Sequence, residues 1–356
     1  MEKSSQVGKV QTVLGPIAPE QLGVTLTHEH LLIDLAFVRP VPEEALAREV
    51  YYAPLSPETL SHVRGQGMAS KDDLQLLDVE TAIFEATLYK QHGGSSLVDA
   101  TSIGIARDPA ALARISRETG LNIVMGSSYY VAPSHPADMD SRSEDAIVEQ
   151  IVRDVTVGVD DTGVRSGIIG EVGCSWPLTD NEGRVLRASA RAQSITGAPI
   201  LIHPGRDETS PMEIIAILQE SGADLTRTIM GHLDRTVFDR GALREIAETG
   251  VYLEWDLFGS EASYYPFNPV VDMPNDAMRI DTIAWVTSEG FGDRVVVAHD
   301  VCKKHQLASY GGHGYSYIPA HIVPRMRARG FSNDLIDAIL VDNPATVLTF
   351  IEPQEG

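Results

Sequence analysis

Cysteine is scarce: Cys174 and Cys302 are the only two in 356 residues. A disulfide-stapled secreted domain usually carries more, so this chain is not read as one. Positive charge is short as well, with Lys and Arg totalling 28 against 50 Asp and Glu, a net charge of −22. That balance argues against a nucleic-acid binder, which needs basic surface, and against docking on anionic membranes. No apolar run is long enough to span a bilayer. The opening MEKSSQVGKVQTVLG lacks the apolar centre of a signal peptide, so the cytosol is the expected compartment. A GxSxG elbow is missing, which argues against a serine hydrolase of that type. A glycine-rich phosphate fingerprint after the first strand is also missing, which argues against a doubly wound dinucleotide fold. Lysine is confined to Lys3, Lys9, Lys71, Lys90, Lys303 and Lys304, leaving none between 91 and 302.

What is present is a repeat of short apolar runs separated by helical stretches. Strands are expected at Val24–Thr27, Ser96–Ala100, Asn122–Gly126, Gly167–Glu171, Pro199–His203, Thr228–His232, Val251–Glu254 and Arg294–His299. Runs such as GIIGEV, PILIHP and RVVVAHD suit parallel strands buried on both faces. Between them, DPAALARISRETG and DRGALREIAETG open on an Asp cap and end in Gly, and LLDVETAIFEATLYKQHGG also ends in glycines. Eight such units predict an α/β fold, a (β/α)₈ TIM barrel. We read residues 1–356 as a single domain, with 1–23 a small N-terminal β-ribbon cap and 24–350 the barrel. Long loops are expected at 36–75, 259–280 and 303–318, where barrel enzymes shape their pockets.

Chemistry-bearing residues collect at the strand ends. His28 and His30 stand two apart on strand one, so they share a side and are expected to face the lumen. Glu171 ends strand four, His203 strand five, His232 strand six, and Asp300 follows strand eight. Each histidine alone reads equally well as a helix cap or a filler of a polar niche. Together they make a metal-binding rim at the end of the barrel where active sites lie. Four neutral nitrogens and two carboxylates suit two divalent ions, with one carboxylate bridging them. Zinc is the default for a histidine-rich set, with Mn²⁺, Co²⁺ and Fe²⁺ as alternatives. A hydroxide bridging the metals is the expected nucleophile, and Asp300 is both ligand and proton acceptor. The plainer reading gives Glu171 a salt bridge and the site a single metal.

In order and strand position these residues resemble the phosphotriesterase family of the amidohydrolase superfamily, and within it the phosphotriesterase-related proteins. The resemblance runs from GKVQTVLGPI and TLTHEH through IIGEVGCSWPLT, ILIHPG, MGHLDRT, VVAHD and GGHGYS to NPATVLTF. It implies a dinuclear-metal hydrolase, and it allows a homodimer. Many family members bridge their metals with a carboxylated lysine on strand four. Here that position is Glu171, whose own carboxylate would do the same work. The family's organophosphate hydrolases follow the strand-seven Asp with a His that relays protons. Here Asp256 is followed by Leu257, which counts against efficient phosphotriester hydrolysis.

Arg206 and Arg235 lie just beyond two of the candidate ligands and suit a carboxylate or sulfonate tail. Tyr129 and Tyr130 are expected to wall the pocket. His313 and Tyr315, in the loop Gly311–Tyr315, are expected to close over a substrate. An anionic small molecule with a cleavable acyl group points to an amide of an N-acyl amino acid or N-acyl aminosulfonate. A lactonase or phosphotriesterase is the alternative, and a non-catalytic metal-binding barrel the reading of a different class.

Overall fold

The computed structural model describes residues 6–66, 69–262 and 265–354. Residues 1–5 of the expected ribbon, 67–68 of the first long loop and 263–264 of the loop after strand seven lie outside it. The chain folds as a (β/α)₈ barrel. Its strands are β1 (Thr25–Glu29), β2 (Ser96–Asp99), β3 (Asn122–Met125), β4 (Ile169–Gly173), β5 (Ile200–His203), β6 (Thr228–Met230), β7 (Tyr252–Trp255) and β8 (Val295–Val297). Strands β1 to β3 form one parallel run and β4 to β8 another. The runs join where Ser127 and Gly170 exchange backbone bonds of 3.1 and 2.9 Å, and where the Asp300 amide donates to the His28 carbonyl at 3.2 Å.

Helices end where local chemistry stops them. Asp78, Asp108 and Asp239 each accept a backbone N–H of the first turn of Val79–Gln91, Pro109–Thr119 and Arg240–Glu248. Thr179 and Glu182 form a reciprocal capping box on Asp180–Thr196.

Two apolar layers follow from strand alternation. Val98, Val124, Leu201, Ile229 and Val296 point inward and meet Val10, Leu22, Val347 and Leu348 at the floor. Leu97, Ile123, Ile200, Leu253 and Val295 point outward, against the helices. Val10–Thr12 pairs antiparallel with Gly15–Ile17 beneath the floor.

The long connections carry more structure than expected. Segment 36–75 holds the helices Ala45–Tyr52 and Pro57–Gln66, and Ile33–Asp34 pairs with Gln75–Leu76. The loop read as 259–280 ends at Asn275, whose side chain caps Asp276–Val286. The loop 303–318 is wound into short 3₁₀ turns at Lys304–Gln306 and Ala308–Tyr310.

Candidate metal centre and its cavity

Alternation alone would not aim the two histidines inward. Leu26 belongs to the outer layer, and strict alternation would set His28 and His30 on its side. The β1–β2 register shifts between Leu26 and Glu29, and this bulge turns both imidazoles toward the lumen. A second bulge sits on β4. Ile169 pairs with Ile200 and Val172 with Ile202, so Gly170 and Glu171 together oppose Leu201. A Cβ on Gly170, at φ +135°, would fall 2.2 Å from the Leu201 carbonyl oxygen, so only glycine fits there. His232 and Asp300 lie just past their strands in the left-handed region, at φ 53° and 49°. Such conformations in non-glycine residues persist where surrounding structure enforces them, often at functional sites. Of the six expected ligands, only His203 ends a regular strand.

Glu171 stands at the centre. Its Oε1 is 3.2 Å from His30 Nε2, which is 3.4 Å from Asp300 Oδ1. Its Oε2 is 2.8 Å from His203 Nδ1, 3.3 Å from His28 Nε2 and 3.7 Å from His232 Nε2. Each carboxylate oxygen therefore faces a different set of imidazoles, as a bridging ligand must. All six expected ligands come together here.

The far nitrogens of three rings are held by other groups. His232 Nδ1 bonds Asp256 Oδ1 at 2.8 Å, and His28 Nδ1 lies 3.1 Å from Asp256 Oδ2 and 3.3 Å from Glu254. The Thr101 hydroxyl donates to the Leu32 carbonyl and therefore accepts from His30 Nδ1 at 2.9 Å. In the neutral rings this leaves Nε2 as the free lone pair, the arrangement found where imidazoles bind metals. His28 Nε2 is buried and, despite its nearness to Glu171, has no partner with hydrogen-bonding geometry among the described residues.

The electrostatics ask for cations. Burial opposes charge on His30, yet Asp300 and Glu171 raise its pKa to about 9. Burial likewise opposes charge on His28, and Glu171, Asp256 and Glu254 together raise it well above its ordinary value. Burial also opposes ionisation of Glu171, but His28 and His203 hold it well below the usual carboxylate range. Glu254, buried beside Asp256, is pushed up to about 7. Buried carboxylates and protonated imidazoles here balance one another, which divalent ions would do with fewer protons. Orphaned nitrogen, donor set and charge all fit metal.

A cavity of about 520 Å³ opens above this cluster. Tyr130, Arg206, Arg235 and His313 line it as expected. Tyr129 and Tyr315 do not. Tyr129, next to Tyr130 in an extended segment, points into the outer layer, and its hydroxyl accepts from Arg142 at 2.8 Å. Tyr315 donates to the His30 carbonyl at 2.7 Å and so buttresses the end of β1. The loop carrying His313 is packed rather than open, with the ring stacked on His299 at 5.5 Å. Leu35, Val38, Val63 and Arg64, from the first long connection, form another wall.

The cavity holds cations that lack counter-ions. Arg235 is 3% exposed, donates to the Pro204 carbonyl at 3.2 Å and lies 3.2 Å from His203 Nε2. Arg206 donates to the Tyr265 hydroxyl at 2.6 Å and lies over the Phe267 ring at 4.4 Å. Neither has a carboxylate within ion-pair distance among the described residues. Elsewhere, buried arginines are paired: Arg279 with Asp234 and Asp276, and Arg107 with Asp154. Sequence reasoning missed Lys303, which also lines the cavity. It also gave no role to Glu254 and Asp256 as holders of His28 and His232. The alternation Glu254-x-Asp256 on β7 was the available signal for these two.

Comparison with known proteins agrees with this geometry. The profile of the phosphotriesterase family matches residues 8–348. The N-acetyltaurine hydrolase of Tetraodon nigroviridis is 46% identical over 351 residues, 98% of this chain and 99% of that protein. Among solved structures, a resiniferatoxin-binding protein from Rhodobacter sphaeroides superposes with a TM-score of 0.93 at 36% identity, covering 97% of each chain. A lactonase from Listeria monocytogenes reaches a TM-score of 0.77 at 27% identity, covering 97% of this chain and 100% of that one. With its barrel, its ring of strand-end ligands and a family match along almost its whole length, the chain belongs to the phosphotriesterase family, a family of metal-dependent hydrolases.

Proposed function

We propose that residues 1–356 act as one hydrolase domain that cleaves the amide of a small N-acyl aminosulfonate, adding water to give a carboxylate and the free aminosulfonate. The observation that carries this reading is the pair Arg206, half-buried, and Arg235, buried, which line the cavity over the centre with no carboxylate within ion-pair distance among the described residues. A buried unpaired guanidinium is costly, and an anionic tail on the substrate removes that cost. The 46% identity to a protein named N-acetyltaurine hydrolase supports the same class. Lactones and phosphotriesters carry no such tail and leave both arginines unanswered.

His28, His30, Glu171, His203, His232 and Asp300 would hold two divalent ions, with Glu171 shared. Zinc suits the histidine-rich set. When bound, the metals would supply Lewis acidity toward the acyl oxygen and lower the pKa of the attacking water. Asp300 takes that water's proton and returns it to the departing nitrogen. Asp256 keeps the His28 and His232 rings turned inward. Tyr130, buried and therefore held neutral as a phenol, walls the cavity beside His203.

The test pairs metal analysis with a substrate screen. Close to two metals per chain, with release of acetate and taurine from N-acetyltaurine, is the expected result. Arg206→Ala and Arg235→Ala should each raise KM for anionic amides about 10–100-fold and leave neutral amides nearly unchanged. Cleavage of lactones but not amides would replace the substrate class. Equal effects of the two substitutions on neutral and anionic amides would remove the tail argument.

A further inference from the structure

Lys303 and Lys304 are adjacent in sequence, and the fold treats them in opposite ways. Lys304 pairs with Asp72 at 2.5 Å. Lys303 lines the cavity, is half-buried, and makes no side-chain hydrogen bond or ion pair among the described residues. It approaches from the loop after β8, whereas Arg206 and Arg235 follow β5 and β6. All three cations line one cavity together with Tyr265, whose hydroxyl accepts from Arg206 directly, and Lys303 also lies within electrostatic reach of Asp73 and Asp300.

This arrangement discriminates between anion shapes. A guanidinium presents donors in one plane and matches two oxygens of an anion. A carboxylate has only those two, and they are coplanar. A sulfonate is tetrahedral and keeps a third oxygen out of that plane. An ammonium is a compact point charge with three rotatable donors, and it can meet that oxygen from another direction. We propose that Lys303 holds the third oxygen of the substrate's tail and so selects sulfonates over carboxylates. The inference rests on the proposed hydrolysis of N-acyl aminosulfonates and names the residue that sets the choice of tail.

The experiment measures kcat/KM for N-acetyltaurine and for its carboxylate counterpart, N-acetyl-β-alanine. The wild-type protein and Lys303→Met and Lys303→Arg are compared. The wild type should favour the sulfonate. Lys303→Met should lose roughly 10–100-fold on the sulfonate through KM, change little on the carboxylate, and bring the two rates together. Lys303→Arg, which keeps the charge, should recover part of the preference. The carboxylate amide reports whether the variants fold. Parallel losses on both amides would reduce Lys303 to general attraction and overturn the proposal, as would no loss on either. Calorimetric binding of propanesulfonate and butyrate to wild type and Lys303→Met decides the matter without turnover. If neither amide is cleaved, the proposed reaction fails while the binding preference still tests Lys303. Equal binding of the two anions by the wild type would overturn the selection.

Discussion

The floor and the mouth of this barrel are made from the same strands within a few residues of each other, yet they obey different rules. At the floor, Val98, Val124, Leu201, Ile229 and Val296 all point inward, with Val98 paired to Val124 and Leu201 to Ile229. Each such burial contributes about 1.5–3 kcal/mol. At the mouth the strands carry bulges at β1 and β4 and left-handed residues at His232 and Asp300. The residues there are imidazoles and carboxylates that oppose burial unless neighbours or ions answer them. Regular backbone suffices to stack methyl groups. Converging six ligands on a point smaller than the barrel's diameter requires breaking the regularity, and the floor supplies the stability that allows it.

Three substitutions separate these roles. Asp300→Asn should give the largest effect, a loss of turnover of roughly 10²–10⁴-fold with the thermal midpoint nearly unchanged. A variant with wild-type kcat would remove Asp300 from the chemistry and blur the contrast with the floor. Next, Ile229→Ala should lower unfolding stability by about 2–5 kcal/mol in denaturant titration, while kcat/KM per folded molecule stays constant. A matching loss of activity in the folded protein would mean that the floor also shapes the mouth. Smallest is Asp256→Asn, which should weaken metal binding about 10–100-fold in chelator competition. It should barely alter unfolding of the metal-free protein, because the side chain remains the same size. Unchanged affinity would make Asp256 part of the packing rather than a support for His28 and His232.

Much of this protein is legible in its sequence. The alternation of strand and helix, the Asp caps and the glycine stops are local patterns of a few residues, and local sterics enforce them. The six candidate ligands were legible for the same reason, since each ends a recognisable apolar run. Pairing between distant segments decided the rest. Whether His28 faces the lumen depends on the β1–β2 register, which no property of THEH sets. Tyr129 and Tyr130 are neighbours of the same type, and only the tertiary placement of their segment sends one to the cavity and the other to Arg142 and His135. Likewise, nothing in the dipeptide Lys303-Lys304 distinguishes the side chain that meets Asp72 from the one that meets open cavity. The sequence by itself determined the elements and the chemical inventory, because those follow from short-range geometry and side-chain type. The tertiary structure alone decided which groups converge and which cations go unpaired, because these depend on contacts between residues tens to hundreds of positions apart.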